Sequence, residues 1–367
     1  MKKNYTIFGK VYQINTIDNY EGDLLHKELD IYPPADSNQP ADLVINYLEK
    51  LDYEKTTLRN PSIHYYNSQS FRIELKNASI EFHFNENKLV RIDFCIKQGN
   101  TLRATANKWL SYQFTNRKES IGFIFHELVL IPSAFFFPDL TIAHASAIDD
   151  NGVILFGGTG GVGKTSLELE LCYHEGKSFF ADDIVVLNNA GVAFPNLAYP
   201  KIYAYNLVNN DDIKKRIFHK AGILNMLHWH SRKLISPAIV RRRVNPSVLY
   251  NNVAQQPSKL KSVYFLVKDG TTDTVTINKI SHEEATKLNR LVLETEYHIF
   301  YKHLLWDEFN SIVAKDKTKL KYEDLINKIE ANFLQSLSNS ETFIINIPLH
   351  IKHKDFIRQV ADIINKR

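Results

Sequence analysis

Residues 156 to 167 read FGGTGGVGKTSL, and residues 181 to 187 read ADDIVVL. Within the first stretch, Gly158-Thr159-Gly160-Gly161-Val162-Gly163-Lys164-Thr165 fits G-x-x-x-x-G-K-[ST] at every fixed position. With average composition, that pattern arises by chance in on the order of one in a hundred chains of this length. The context narrows it further. GVILFG (152–157) is a short apolar run that predicts a strand, and SLELELCYHEG (166–176) predicts a helix behind the loop. Its leucines alternate, but Leu and Glu are strong helix formers. Glycines allow backbone N–H groups to turn inward with no Cβ in the way, and a helix start adds positive potential. The reading is a phosphate cradle. Lys164 is expected at the β- and γ-phosphates of a nucleotide and Thr165 at Mg²⁺. Ser166, the first residue behind the motif, is expected with the loop residues as nucleotide-binding.

The segment before the loop, LTIAHASAIDDNGVILFGG, carries Asn151-Gly152, a strong two-residue hairpin signal. Pairing Asp150 with Val153 puts His144 opposite Thr159, at the mouth of the loop. A one-residue slip would move it to the other face. Asp182-Asp183 sits between two apolar runs, SFFA and IVVL. Adjacent strand residues point opposite ways, so both carboxylates reach one site only if the strand ends or bends there. Two aspartates in an apolar run are costly to bury unpaired, which a metal ion or a catalytic role would explain. A plain strand-end turn would also suit Asp. Eighteen positions separate Lys164 from Asp182, room for one helix and one strand.

Residues 140–187, LTIAHASAIDDNGVILFGGTGGVGKTSLELELCYHEGKSFFADDIVVL, resemble the core of bacterial HPr kinase/phosphorylase and its broader relatives. That resemblance implies an α/β fold. It is a mixed-sheet P-loop core of the HPr kinase/phosphoenolpyruvate carboxykinase type. It also implies ATP and Mg²⁺ as cofactors. Carried over position by position, His144, Lys164, Thr165, Asp182 and Asp183 fill the family's functional places. The family's roles assign Asp182 as general base and Asp183, with Thr165, as metal partner. Lys201 stands where relatives often carry a basic residue. The Arg-Gly-Leu-Gly signature of HPr kinase proper is missing, and Ala145 replaces the glycine after the family's histidine. These departures point away from HPr itself and toward relatives whose hydroxyl acceptors vary, including peptides and small molecules. HPr kinases are oligomers, so the resemblance makes a homo-oligomer one expected assembly.

The rest of the chain bounds the reading. Its 367 residues are 44% hydrophobic and 23% charged, with net charge +4. That balance fits a globular protein of two domains, or of one with large additions, and argues against a nucleic-acid binder, for which no motif is present. Cys95 and Cys172 have no metal-ligand spacing and suit a reducing compartment. The most apolar run, Ile121 to Phe137, is shorter than the ~20 residues a membrane helix needs and holds His126, Glu127 and Pro132. A buried helix is expected there, with no membrane partner and a cytoplasmic location. Residues 1–118 read as an α+β accessory domain. Strands are expected at 70–75, 79–84 and 88–96, helices at 41–51 and 101–114, and His64 and His83 as packing and surface residues. Residues 119–367 read as the kinase domain, with an irregular basic insert at about 206–260. Residues 201–243 hold ten Lys or Arg against two Asp, a net +8. They read as a mobile lid or acceptor-binding loop or as a solvated charged face, with Arg241, Arg242 and Arg243 as candidates on charge alone.

The function expected is an ATP-dependent phosphotransferase acting on a hydroxyl acceptor. The alternative is a nucleotide-binding regulatory or scaffold protein without transfer. Carboxykinase chemistry lacks a second set of metal ligands to accompany His144.

Overall fold

The computed structural model describes residues 1–36, 38–52, 57–61, 63–97, 101–208 and 210–366. The protein is mixed α/β, with mixed parallel and antiparallel sheets. It divides into two compact units drawn from discontinuous segments. The first comprises Met1–Ser111, Thr115–Pro138 and Tyr297–Lys328; the second comprises Tyr112–Phe114, Asp139–Glu296 and Ile329–Arg367.

The first unit holds an eight-stranded sheet, in the order 2–7, 10–16, 43–47, 88–96, 78–85, 70–74, 64–67 and 58–60. The strand Leu43–Tyr47 corrects the helix expected at 41–51. LVINY alternates buried and half-buried positions and pairs in parallel with strands on both sides. Val44, Ile45 and Tyr47 fit a pleated surface, and tertiary pairing overrides the helix-forming residues behind them. Strands 78–85 and 88–96 form a hairpin in which Asn85 pairs with Lys88, so that Glu86 and Asn87 alone make the turn. The apolar run from Ile121 is helical to Ala134 and largely buried. A π-turn over His126–Leu130 precedes Pro132, which cannot donate into an α-ladder. Among the described residues, no helix is long and apolar enough to cross a membrane.

The second unit holds a nine-stranded sheet. Its main path runs 178–181, 145–149, 153–157, 258–269, 192–194, 185–188 and 140–143. Strands 153–157, 258–269 and 341–348 run parallel, and 276–279 closes the edge against 341–348. Val153, Leu155, Val263 and Phe265 meet in its core, packed with Phe333 and Leu337. The described part of the segment expected to be irregular carries regular elements. It forms helices Asp211–Phe218 and Ile223–Ile235 and a two-stranded ladder of 201–203 with 241–243. Asp211 and Asp212 open the first helix, and Lys215 and Arg216 close it, matching the helix dipole.

Candidate functional site

The strand Val153–Gly157 runs into the glycine loop, and Gly163 starts the helix Lys164–Leu169, which continues as a π-turn to His174. Gly158, Gly161 and Gly163 have φ of 130°, 79° and 106°, where an L side chain is strained. A Cβ on Gly158 would lie 2.6 Å from the Leu266 carbonyl oxygen, and one on Gly163 would lie 2.5 Å from the Phe356 ring. At Gly161 nothing lies within 4 Å of that position, so the cradle is open there. Thr159, Gly160 and Gly161 are exposed, whereas Val162 is buried and anchors the loop. The Gly160 N–H donates to Glu296 at 3.2 Å.

Lys164 is buried, and its Nζ donates to the carbonyls of Gly158 at 2.7 Å and Thr159 at 3.0 Å. Burial lowers its pKa, opposed by the charges of Asp183, Asp182 and Glu296.

The hairpin register differs from expectation by one residue. Asp149 pairs with Val153, so the turn holds three residues, and the ladder ends at Ala145 opposite Gly157. Asn151 and Gly152 take φ of 52° and 130°, and Asp149 Oδ1 accepts from the Gly152 N–H at 3.0 Å. That cap draws Asp150 into the turn, so His144 does not pair with Thr159.

His144 lies instead at a break that the hairpin argument missed. Strand 140–143 pairs with 185–188, and strand 145–149 pairs with 178–181, both antiparallel. The two ladders continue one another, so 140–149 and 178–188 form a single strand pair interrupted where 144–146 face 182–184. The chain bends at Asp183, which has φ of 67°, and the Ile184 N–H bonds the Asp182 carbonyl at 2.9 Å. This three-residue turn is rare for a non-glycine residue and stores strain of the kind found at functional sites. It aims both aspartates and His144 at one place beside the loop.

Asp182 Oδ1 accepts from Ser146 Oγ at 2.8 Å and from Thr165 Oγ1 at 3.1 Å. Burial, then the charge of Asp183, pushes the Asp182 carboxyl up to about 6. Burial also acts to raise Asp183, but the Lys201 ammonium 2.7 Å away outweighs it, and Asp183 falls to about 2 with help from His144 and Lys164. Thr165, expected to share an ion with Asp183, donates its hydroxyl to Asp182 in this structure. Asp182 is 5% exposed, and the Asp183 side chain is 36% exposed. Among the described residues, no group of three or more His, Cys, Asp or Glu could hold a metal ion by itself.

Sequence reading overlooked several neighbours. Ser146 is two positions after His144, a spacing that on an unbroken strand puts both on one face; that signal was available. Glu168 is fully buried and receives a hydrogen bond from Tyr250, 82 residues away. Burial, with the charge of Asp182, raises the Glu168 carboxyl well above the usual range. Ser166, by contrast, was expected with the loop; it is buried and held by Asn206 Nδ2 at 2.8 Å. Of the arginines proposed on charge, Arg242 is a core residue, bonded to Asn225 and stacked on Trp229. Arg241 and Arg243 lie over Tyr203 and Tyr199.

No protein-family model and no curated protein matches this chain. Among solved structures, the HPr(Ser) kinase/phosphatase from Coxiella burnetii matches over 62% of this chain and 95% of its own, at 13% identity and a TM-score of 0.25. At that score the likeness decides neither the fold family nor the activity.

Proposed function

We propose that the protein is a Mg²⁺-dependent kinase that transfers the γ-phosphate of ATP to a hydroxyl acceptor. The observation that carries this reading is the interrupted strand pair, which brings His144, Asp182 and Asp183 beside Lys164 and Thr165 of the glycine loop. The residues fit the groups required. The loop is open at Gly161, and Lys164 Nζ now rests on loop carbonyls that phosphate oxygens would replace. Mg²⁺ is commonly held by one or two carboxylates together with substrate phosphates, and Thr165 with Asp182 suits that role. The ion would neutralise charge on the transferring phosphoryl group.

The contacts favour reversing the roles that the family resemblance gives the two aspartates. Asp182 is buried against Thr165, on the metal side. Asp183 is the more exposed carboxylate, and the one an acceptor hydroxyl could reach. In the reaction, the acceptor oxygen bonds to the γ-phosphorus as the bridge to ADP breaks, and the hydroxyl proton passes to Asp183. Lys201 holds Asp183 in place, but it also weakens it as a base. That ion pair favours the second reading, a nucleotide-binding regulatory protein without transfer.

Labelled ATP, Mg²⁺ and a panel of Ser/Thr peptides and small hydroxyl compounds test the choice. Lys164→Ala is expected to abolish nucleotide binding. Asp183→Asn should lower transfer about 10²- to 10⁴-fold, the usual contribution of a general base. Asp182→Asn should raise the Mg²⁺ concentration required. ATP binding with no transfer to any acceptor supports the regulatory reading, and no ATP binding overturns both.

A further inference from the structure

A cavity of about 610 Å³ opens beside the glycine loop, within the second unit. One wall is the loop helix, through Ser166 and Leu169. The facing walls are Tyr205, on the segment after Lys201, and His353 and Ile357, on the closing helix His353–Asn365. The cavity is tied to the loop at two points. Phe356 packs against Gly163, and Asn206 holds Ser166. Tyr205 is braced by Tyr203, whose ring stacks on it at 5.4 Å, and meets His353 edge-on at 6.2 Å. None of His144, Asp182, Asp183 and Lys201 lines it.

Position along the loop decides what such a cavity can take. Lys164 marks the β/γ end of a bound polyphosphate, and the Thr165–Asp182 contact marks the metal beside it. Ser166 is the next residue, and the cavity begins with it. A polyphosphate whose reacting end lies at the aspartates therefore points its other end at this opening. Ligand pockets of about 300–1,000 Å³, largely apolar with a few polar groups, are the ordinary size for such a moiety.

We infer that this cavity is the nucleoside subsite of the phosphate loop, taking a purine base stacked on Tyr205 with His353 edge-on beside it. The inference rests on the proposed phosphate-loop reading. Asn206 has both ends of its amide in use, its Oδ1 on the Tyr203 N–H and its Nδ2 on Ser166. Those two bonds hold Asn206 to the loop wall. Stacking tolerates any base with a π-face, so the donor preference should be shallow, with ATP and GTP within about tenfold of each other. Hydrogen-bonded readout would separate them by orders of magnitude.

The competing occupant is the acceptor, because Tyr205 also feels the charge of both aspartates, which adds to burial in raising its hydroxyl to about 12. Calorimetric titration with Mg²⁺–ATP, Mg²⁺–GTP and Mg²⁺–tripolyphosphate separates the cases. The wild type should bind ATP and GTP alike, and tripolyphosphate more weakly. Tyr205→Ala should weaken both nucleotides roughly tenfold while leaving tripolyphosphate unchanged, a size expected of one lost stacking partner. Tyr205→Phe should keep wild-type affinity and shows that the site still folds. Unchanged ATP affinity in both Tyr205→Ala and His353→Ala overturns the assignment, as does a loss confined to the acceptor KM. If tripolyphosphate binds the wild type as tightly as ATP, the phosphate loop stands and the nucleoside subsite falls. If neither binds, the phosphate-loop reading falls with it.

Discussion

At the scale of the residue, the two adjacent aspartates are set apart by their surroundings. Asp182 is buried among hydroxyls beside a second carboxyl, Glu168. Asp183 is exposed enough to keep Lys201 as a counter-ion. The consequence for stability has a definite sign. A carboxyl whose folded pKa is raised binds more protons in the folded state, so its stabilisation is present at low pH and is lost as pH rises through the folded value. For Asp182 that window runs from the unfolded value near 4 to about 6. At neutral pH the buried charge is a cost. Asp182→Asn keeps an oxygen for Ser146 and Thr165, and should raise the melting temperature at pH 7.5. The gain should shrink toward pH 4, where the wild-type carboxyl is protonated anyway. Scanning calorimetry of both proteins at the two pH values checks this. A lower melting temperature for the variant at pH 7.5 would mean that the charge is structurally favourable as it stands.

At the scale of the element, the strand, loop and helix around residues 153–174 depend on where glycines sit. Three of them share a left-handed φ but differ in surroundings, which makes a graded test. Gly161→Ala meets nothing within 4 Å and should cost only the left-handed strain, about 1–2 kcal/mol. Gly163→Ala adds a clash with a ring that has some freedom to move. Gly158→Ala meets a backbone carbonyl of the central strand, which has none, and should be the most destabilising. Urea denaturation should rank them 161, 163, 158 in rising cost, and an equal cost at all three would sink the packing argument. The same contrast explains what the sequence disclosed. The loop was legible because its contacts are made by consecutive residues at fixed spacing, and the aspartate pair because two charges in an apolar run demand a reason. The hairpin register was off by one because a single cap, Asp149 on Gly152, decides whether Asp150 belongs to the strand or the turn. The break at His144 was hidden, since it arises from pairing with a strand some forty residues away. The Glu168–Tyr250 contact had no local signal at all. The strand 43–47 lost its alternation among helix formers, and only its parallel neighbours identify it.

At the scale of the whole molecule, each unit carries buried groups that respond to acid, and the balance between lowered histidines and raised carboxyls differs between the two. In the first unit, His64 and His303 stack at 5.6 Å with their Nδ1 atoms 3.4 Å apart. Among the described residues, the Nε2 atom of each is buried without a hydrogen-bond partner. Burial lowers both to about 3, with His303 and Lys319 adding to the effect on His64, and Lys302 to that on His303. A histidine lowered in this way is folded as the neutral form. Its stabilisation is present above the unfolded value near 6.5 and is lost as pH falls below it, by about 2 kcal/mol per histidine at pH 5. The nearby Lys319–Asp307 pair, 2.9 Å apart and almost fully buried, opposes this in part. Burial raises the Asp307 carboxyl to about 6 and its protonation adds stability on acidification, but one carboxyl stands against two histidines. In the second unit, Asp182 contributes in the other direction over the same range. Hydrogen exchange measured at pH 7.5 and pH 5, corrected for intrinsic rates, should therefore show strand 64–67 and helix 298–314 losing protection on acidification. Strands 145–149 and 153–157 should hold theirs or gain. The double variant His64→Phe, His303→Phe should remove most of the acid sensitivity of strand 64–67 and helix 298–314 while leaving exchange in the second unit unchanged; His26, lowered by its own burial, keeps a smaller share for the first unit. Equal loss of protection in both units, or undiminished acid sensitivity of that strand and helix in the double variant, would show that the histidine pair does not set their acid response.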